Sequence, residues 1–229
     1  MDDSYHVSRS IDVESLFASP VAAFELAGPA RDFPLVGDEG RTIASASPKR
    51  RFEFSSGRAC ARAALETYGV LDHALCVGEK REPLWPQGFA GSITHTKGYC
   101  ASVVTPTSTY AGLGIDCEAL GRVSLEMERL ICSPADLAML AEMDSADRAL
   151  HSTLLFSAKE AFYKCQFAMT EGWLGFRDVS LRFQGNRFLI DILKPAANSP
   201  LPDGPYEGVF LVSGTHVLTG IAISGEAGS

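Results

Sequence analysis

One long helical pattern, residues 146–169, stands between two stretches of strand-type alternation, and this arrangement removes most architectures open to the chain. Leu150, Leu154, Ala158 and Ala161 or Phe162 recur there at helical spacing, in a segment rich in Ala, Leu, Lys and Glu. Upstream, strands are expected over residues 92–94, 99–105 and 110–118, the last two joined by a polar turn at 106–108. Downstream, Val179, Leu181 and Phe183 alternate, and strands are expected over 188–193, 209–213 and 216–223. Two shorter helices, 124–131 and 134–143, precede the long one, the second with Ser133 as N-cap and Pro134 in its first turn. A further helix is expected from Ser55 or Ser56 to Tyr68, a short strand over 75–77, and either a helix or a strand over 21–26. Residues 79–91 and 195–205 read as loops and the tail from Gly225 as frayed. The pattern predicts an α+β fold whose helix-and-strand halves meet near residues 120–122.

Composition narrows the function classes. With 20 Lys and Arg against 28 Asp and Glu, the formal charge of −8 argues against broad nucleic-acid binding and leaves room for a small local basic site. Acids at Asp2, Asp3, Asp12 and Glu14 interrupt the first twenty residues, so no secretory signal or mitochondrial presequence is expected, and no apolar run reaches membrane-spanning length. The six cysteines form no CxxC pair and no zinc-type spacing with His, so free thiols in a reducing cytosol are expected.

Charged residues concentrate in three places. Asp116 and Glu118 lie one residue apart near a strand end, where period-two geometry puts both carboxylates on one face, opposite Ile115 and Cys117. Such a pair suits Mg²⁺, and equally an acidic strand end in solvent. Glu160 and Lys164 share a face of the long helix, as a weak surface pair or as the wall of a cleft. If Glu160 faces Asp116 and Glu118, it can complete a metal site or take a proton from an attacking hydroxyl. Residues 48–62 carry Lys49, Arg50, Arg51, Arg58 and Arg62 against one acid, Glu53, either a solubilising face or an anion site that Lys80, Arg81, His95 and Lys97 extend. Walker, dinucleotide-binding, GxSxG and HExxH signatures are absent, and Trp85 and Trp173 read as packing residues.

These stretches, in order, resemble the 4'-phosphopantetheinyl transferases, particularly the surfactin type and enterobactin synthetase component D. They are Phe54-Ser-Ser-Gly-Arg58 with Ala61-Arg62, Glu79-Lys-Arg-Glu-Pro83 through Trp85-Pro86, Gly91-Ser-Ile-Thr-His95, Gly114-Ile-Asp-Cys-Glu118 and Phe156-Ser-Ala-Lys-Glu160-Ala-Phe-Tyr-Lys164. The resemblance implies two similar α/β subdomains related by a pseudo-twofold axis, residues 1–121 and 122–229, with coenzyme A and a metal site between them. It implies that Asp116, Glu118 and Glu160 hold Mg²⁺, with Mn²⁺ as a substitute, and that Lys164 contacts phosphate. Arg51 or Arg50, Arg58 and His95 would bind the nucleotide phosphates, with Lys80, Arg81 and Thr94 around the same ligand. Cys117 departs mildly from the aliphatic residue common at its position. The implied reaction moves 4'-phosphopantetheine from coenzyme A to a serine of an apo acyl, peptidyl or aryl carrier protein, releasing 3',5'-adenosine bisphosphate. Carriers of siderophore, nonribosomal peptide, polyketide and fatty-acid synthesis all match that description. A cytoplasmic monomer without nucleic-acid or membrane partners is expected. A metal-dependent nuclease and a noncatalytic coenzyme A or carrier-binding protein are the alternatives, told apart by nucleic-acid cleavage or by binding without transfer.

Overall fold

Alternation and helical periodicity separate in space as they do along the chain. The computed structural model describes residues 6–194 and 201–224. Its strands are β1 (Ser8–Arg9), β2 (Ala22–Ala27), β3 (Phe89–Thr96), β4 (Tyr99–Pro106), β5 (Tyr110–Ala119), β6 (Val179–Gln184), β7 (Arg187–Ile192), β8 (Tyr206–Ser213) and β9 (His216–Ser224). Its α-helices are α1 (Ile11–Glu14), α2 (Pro48–Glu66), α3 (Leu125–Ile131), α4 (Pro134–Ala141) and α5 (Ser145–Thr170). Among the described residues the strands form two antiparallel sheets, ordered β1-β2-β4-β3 and β5-β9-β8-β7-β6. Helix α2 covers the first and α5 the second, which is the expected α+β arrangement of two sheet-and-helix units.

Two local expectations need correction. Helix α2 starts seven residues before Ser55, because Ser47 Oγ caps Arg50 N at 3.3 Å and Pro48 fills the first turn. Basic residues at the start oppose the helix dipole, which hides the Ser-Pro signal and brings Arg50 and Arg51 onto the helix. Residues 75–77 give only an isolated bridge, Val77 to Pro83. Strand β5 pairs with β9, so sheet membership changes in the turn near residues 107–109. The loop expected over 195–205 lies partly, and the tail from 225 wholly, outside the described residues.

The two sheets meet where β3 lies beside β5, and side chains take over the work of a ladder there. Ser92 Oγ accepts from Ile115 N at 3.1 Å, and Thr94 Oγ1 accepts from Cys117 N at 2.9 Å. Below them a shared core joins Val13, Ala23, Ala101 and Val103 to Leu113, Ile115, Cys117 and Leu218, and the six cysteines are unpaired. On its other face β5 carries Gly112 and Gly114 directly against α5. A Cβ at Gly112 would lie 2.6 Å from the Cys165 carbonyl, and one at Gly114 would collide with the Ala161 carbonyl. Gly114→Ala is therefore expected to cost about 3 kcal/mol in urea unfolding and to lower activity by pushing α5 outward; an unchanged midpoint would contradict the close approach.

Candidate active site

The approach of α5 to β5 assembles the acidic residues. Asp116 and Glu118 are only 5% and 9% exposed, which excludes the solvent-facing strand end. Asp116 Oδ1 accepts from Lys164 Nζ at 2.8 Å and Thr94 Oγ1 at 3.1 Å, and Lys164 Nζ also donates to the Ile115 carbonyl at 3.0 Å. Lys164 thus reaches across to β5 to pair with Asp116 instead of forming a simple surface pair along its helix. Glu118 pairs with Arg122 at 2.8 Å. Thr94, grouped by sequence with the ligand contacts, is buried and spends its hydroxyl orienting Asp116 and the Cys117 amide.

Burial pushes the Glu118 carboxyl up to about 7, with Asp116 adding to the shift and Arg122 and Lys164 opposing it. Burial also raises Glu160, against the pull of Lys164, while Asp116 adds to the rise. The three carboxylates therefore share one electrostatic field. Among the described residues, no three His, Cys, Asp or Glu side chains already enclose an ion position. The donor set nevertheless fits a divalent cation. Asp116 Oδ2 is buried without a hydrogen-bond partner, and Asp116 adds to the rise of both Glu118 and Glu160, which places the three carboxyls within electrostatic reach of one another.

Beside this cluster runs a cleft of about 540 Å³ with walls from both units. Arg50 and Arg58 from α2, His95 from β3, and Lys80, Arg81 and Glu82 from the intervening loop face Tyr163, Lys164, Phe167 and Glu171 of α5 and its end. Arg58 is 6% exposed, donates from Nε to the Leu75 carbonyl at 2.8 Å and packs its guanidinium 4.1 Å from the Phe54 ring centre. Burial lowers it to about 10, so it stays cationic at neutral pH. Arg50 Nη1 stands 3.4 Å from His95 Nε2, whereas Arg51 is exposed and outside the lining. Burial lowers His95 below its ordinary value, with Glu53 opposing the shift. Lys80 extends from this loop to the Glu171 carbonyl at 2.6 Å, bridging the two units.

Glu160 faces a smaller aromatic pocket of about 100 Å³, lined also by Phe162, Tyr163, Trp173 and Phe176. Tyr163 belongs to the walls of both cavities. Of the two tryptophans read as packing residues, Trp85 meets the expectation and Trp173 does not. Trp85 packs on Gly91, but Trp173 is 82% exposed and touches Tyr163 edge-on at 5.3 Å, so it is not a core residue. Tyr163, Ser92 and Arg122 escaped sequence reasoning. Tyr163 follows Glu160 by one helical turn, a usable signal, whereas Arg122 reaches Glu118 only through the turn after β5.

Comparison with known proteins agrees with this geometry. Residues 38–105 match the 4'-phosphopantetheinyl transferase N-terminal domain, and residues 112–205 match the 4'-phosphopantetheinyl transferase superfamily. The chain is 32% identical to the 4'-phosphopantetheinyl transferase Npt of Nocardia iowensis over 222 residues, covering 92% of this chain and 99% of that one. It is 40% identical to PptT of Mycobacterium tuberculosis over 148 residues, 64% of each chain. Svp of Streptomyces mobaraensis is 32% identical over 200 residues, covering 85% of this chain and 81% of its own. With both units matched, and in the order expected from the motifs, this chain belongs to the 4'-phosphopantetheinyl transferase family.

Proposed function

We propose that the family's reaction takes place where the large cleft meets the carboxylates of β5 and α5. That reaction transfers the 4'-phosphopantetheine group of coenzyme A to a serine of an apo carrier protein and depends on Mg²⁺. The observation that carries the assignment of roles is Lys164, which lines the cleft and bonds Asp116 at 2.8 Å, joining the basic wall to the acidic cluster through one side chain.

In this reading Arg50, Arg58 and His95 bind the nucleotide phosphates, with Arg81 at the rim and Arg51 outside. Lys80 holds the loop against α5 and so shapes the cleft. Asp116, Glu118 and Glu160 would hold Mg²⁺, which when bound neutralises diphosphate charge as a Lewis acid. Glu160 takes the proton of the carrier serine directly or through water. The serine oxygen forms a bond to the β-phosphorus as the bond to 3',5'-adenosine bisphosphate breaks, and Lys164 stabilises the charge developing on the departing phosphate. Sheet membership supports a division into units near residues 107–109. Among the described residues no helix is long and apolar enough to cross a membrane, and the free thiols suit a cytoplasmic setting.

Incubating the protein with coenzyme A, Mg²⁺ and a panel of apo carriers should add one phosphopantetheine to at least one carrier, read by intact mass. A panel left unmodified, with folded protein and competent carriers, would overturn the reading.

A further inference from the structure

The basic wall of the cleft contains its own acid. Glu53 is the sole carboxylate within residues 48–62 and lines the cleft with Arg50 and His95. Its Oε2 lies 3.7 Å from Arg50 Nη1 and 3.5 Å from His95 Nε2, while Oε1 lies 3.9 Å from Lys49 Nζ. Helical spacing explains the contacts with Lys49 and Arg50 as weak surface pairs. It does not explain His95, which arrives from β3.

The distances indicate what this carboxylate does. A group that organised Arg50 and His95 would bond them at about 2.7–2.9 Å, the range of charge-assisted hydrogen bonds. Glu53 instead stands back from both, farther than the 3.4 Å that separates the two from each other. Long-range attraction holds it there without directed bonds. A phosphate offers these groups the same kind of acceptor with more charge, and it can approach to bonding distance.

We propose that Glu53 is an internal counter-anion of the phosphate subsite. It neutralises Arg50 and faces His95 before coenzyme A arrives, yields both to a phosphate of the nucleotide, and by competing for them limits how tightly the bisphosphate product is held. The inference rests on the assignment of Arg50 and His95 to phosphate. Its consequence has an unusual sign: removing a charged side chain from the binding wall tightens binding.

Titration calorimetry with 3',5'-adenosine bisphosphate, without carrier, tests it directly. Glu53→Gln should bind about three- to tenfold tighter than wild type, and Glu53→Ala, which cannot accept from Arg50, should do the same. The gain should vanish in an Arg50→Met background, where Glu53→Gln binds no tighter than Arg50→Met alone. Equal or weaker binding in both Glu53 variants, with unchanged melting temperatures, would overturn the proposal and make Glu53 a positioning residue. If Arg50→Met and His95→Ala each leave wild-type affinity intact, the phosphate assignment fails and the proposal falls with it. Carrier modification in the intact-mass assay is a separate readout, so failure of the counter-anion is distinguishable from failure of the transferase chemistry.

Discussion

Glu160→Gln should reduce turnover about 10²- to 10⁴-fold while leaving the fold and the affinity for 3',5'-adenosine bisphosphate close to wild type. The substitution keeps the size of the side chain and removes both its negative charge and its basicity. Glu160 sits half-buried on α5, where burial raises its carboxyl above the ordinary value. The proposed nucleotide contacts Arg50, Arg58 and His95 come from α2 and β3, which explains why binding of the nucleotide half should survive. The intact-mass time course gives turnover, and calorimetry with the bisphosphate gives binding. Near-normal turnover would remove Glu160 from the base and metal roles. Loss of bisphosphate binding together with activity would show that the side chain supports the cleft as a whole.

The neighbouring Lys159 has an unrelated role and should be the more sensitive position for stability. Lys159→Met is expected to destabilise the protein by about 3–5 kcal/mol, because it leaves one partner of a buried ion pair uncompensated. Lys159 Nζ shares its three N–H groups among four acceptors, Asp136 Oδ2 at 2.6 Å and the carbonyls of Ile131, Phe176 and Val179 at 2.8, 2.8 and 3.1 Å. Asp136 in turn accepts from Ser133 N at 2.8 Å and Leu181 N at 3.0 Å. One ammonium therefore ties the end of α3, the start of α4, and the segment entering β6 to α5, and burial lowers its pKa against the pull of Asp136. Urea unfolding measures the loss. Adding Asp136→Asn to Lys159→Met should recover part of it, since the stranded carboxylate is then neutral. A single-variant loss below about 1 kcal/mol would place the pair among weak surface bridges and contradict its burial.

Adjacent residues thus diverge, Lys159 into the protein interior and Glu160 toward a pocket, and only tertiary contacts separate their roles. In sequence both are charged residues of one helix, and the motif around Glu160 makes both look functional. A similar ambiguity surrounds residues 49–51. Arg50 and Arg51 are neighbours of like chemistry and both exposed, but on helix α2, which starts at Pro48, Arg50 lines the cleft and Arg51 does not. Trp173 shows the limit from the other side. Packing is the common fate of tryptophan, yet this one lies exposed at the pocket mouth.

What the sequence determined by itself is local and periodic: the long helix, the strands around it, the α+β class, and the motifs that identify the family. Backbone preference and side-chain periodicity act over a few residues, so these features are legible without a fold. Tertiary structure alone decided that β5 leaves the first unit to pair with β9, that Lys164 reaches to Asp116, and that Glu53 faces His95. Each joins residues more than 40 positions apart in the chain, the first by a backbone ladder, the second by the close packing of α5 on Gly112 and Gly114, and the third by the meeting of α2 with β3. Spacing along the chain carries no record of such meetings, because they depend on which surfaces the whole core brings together.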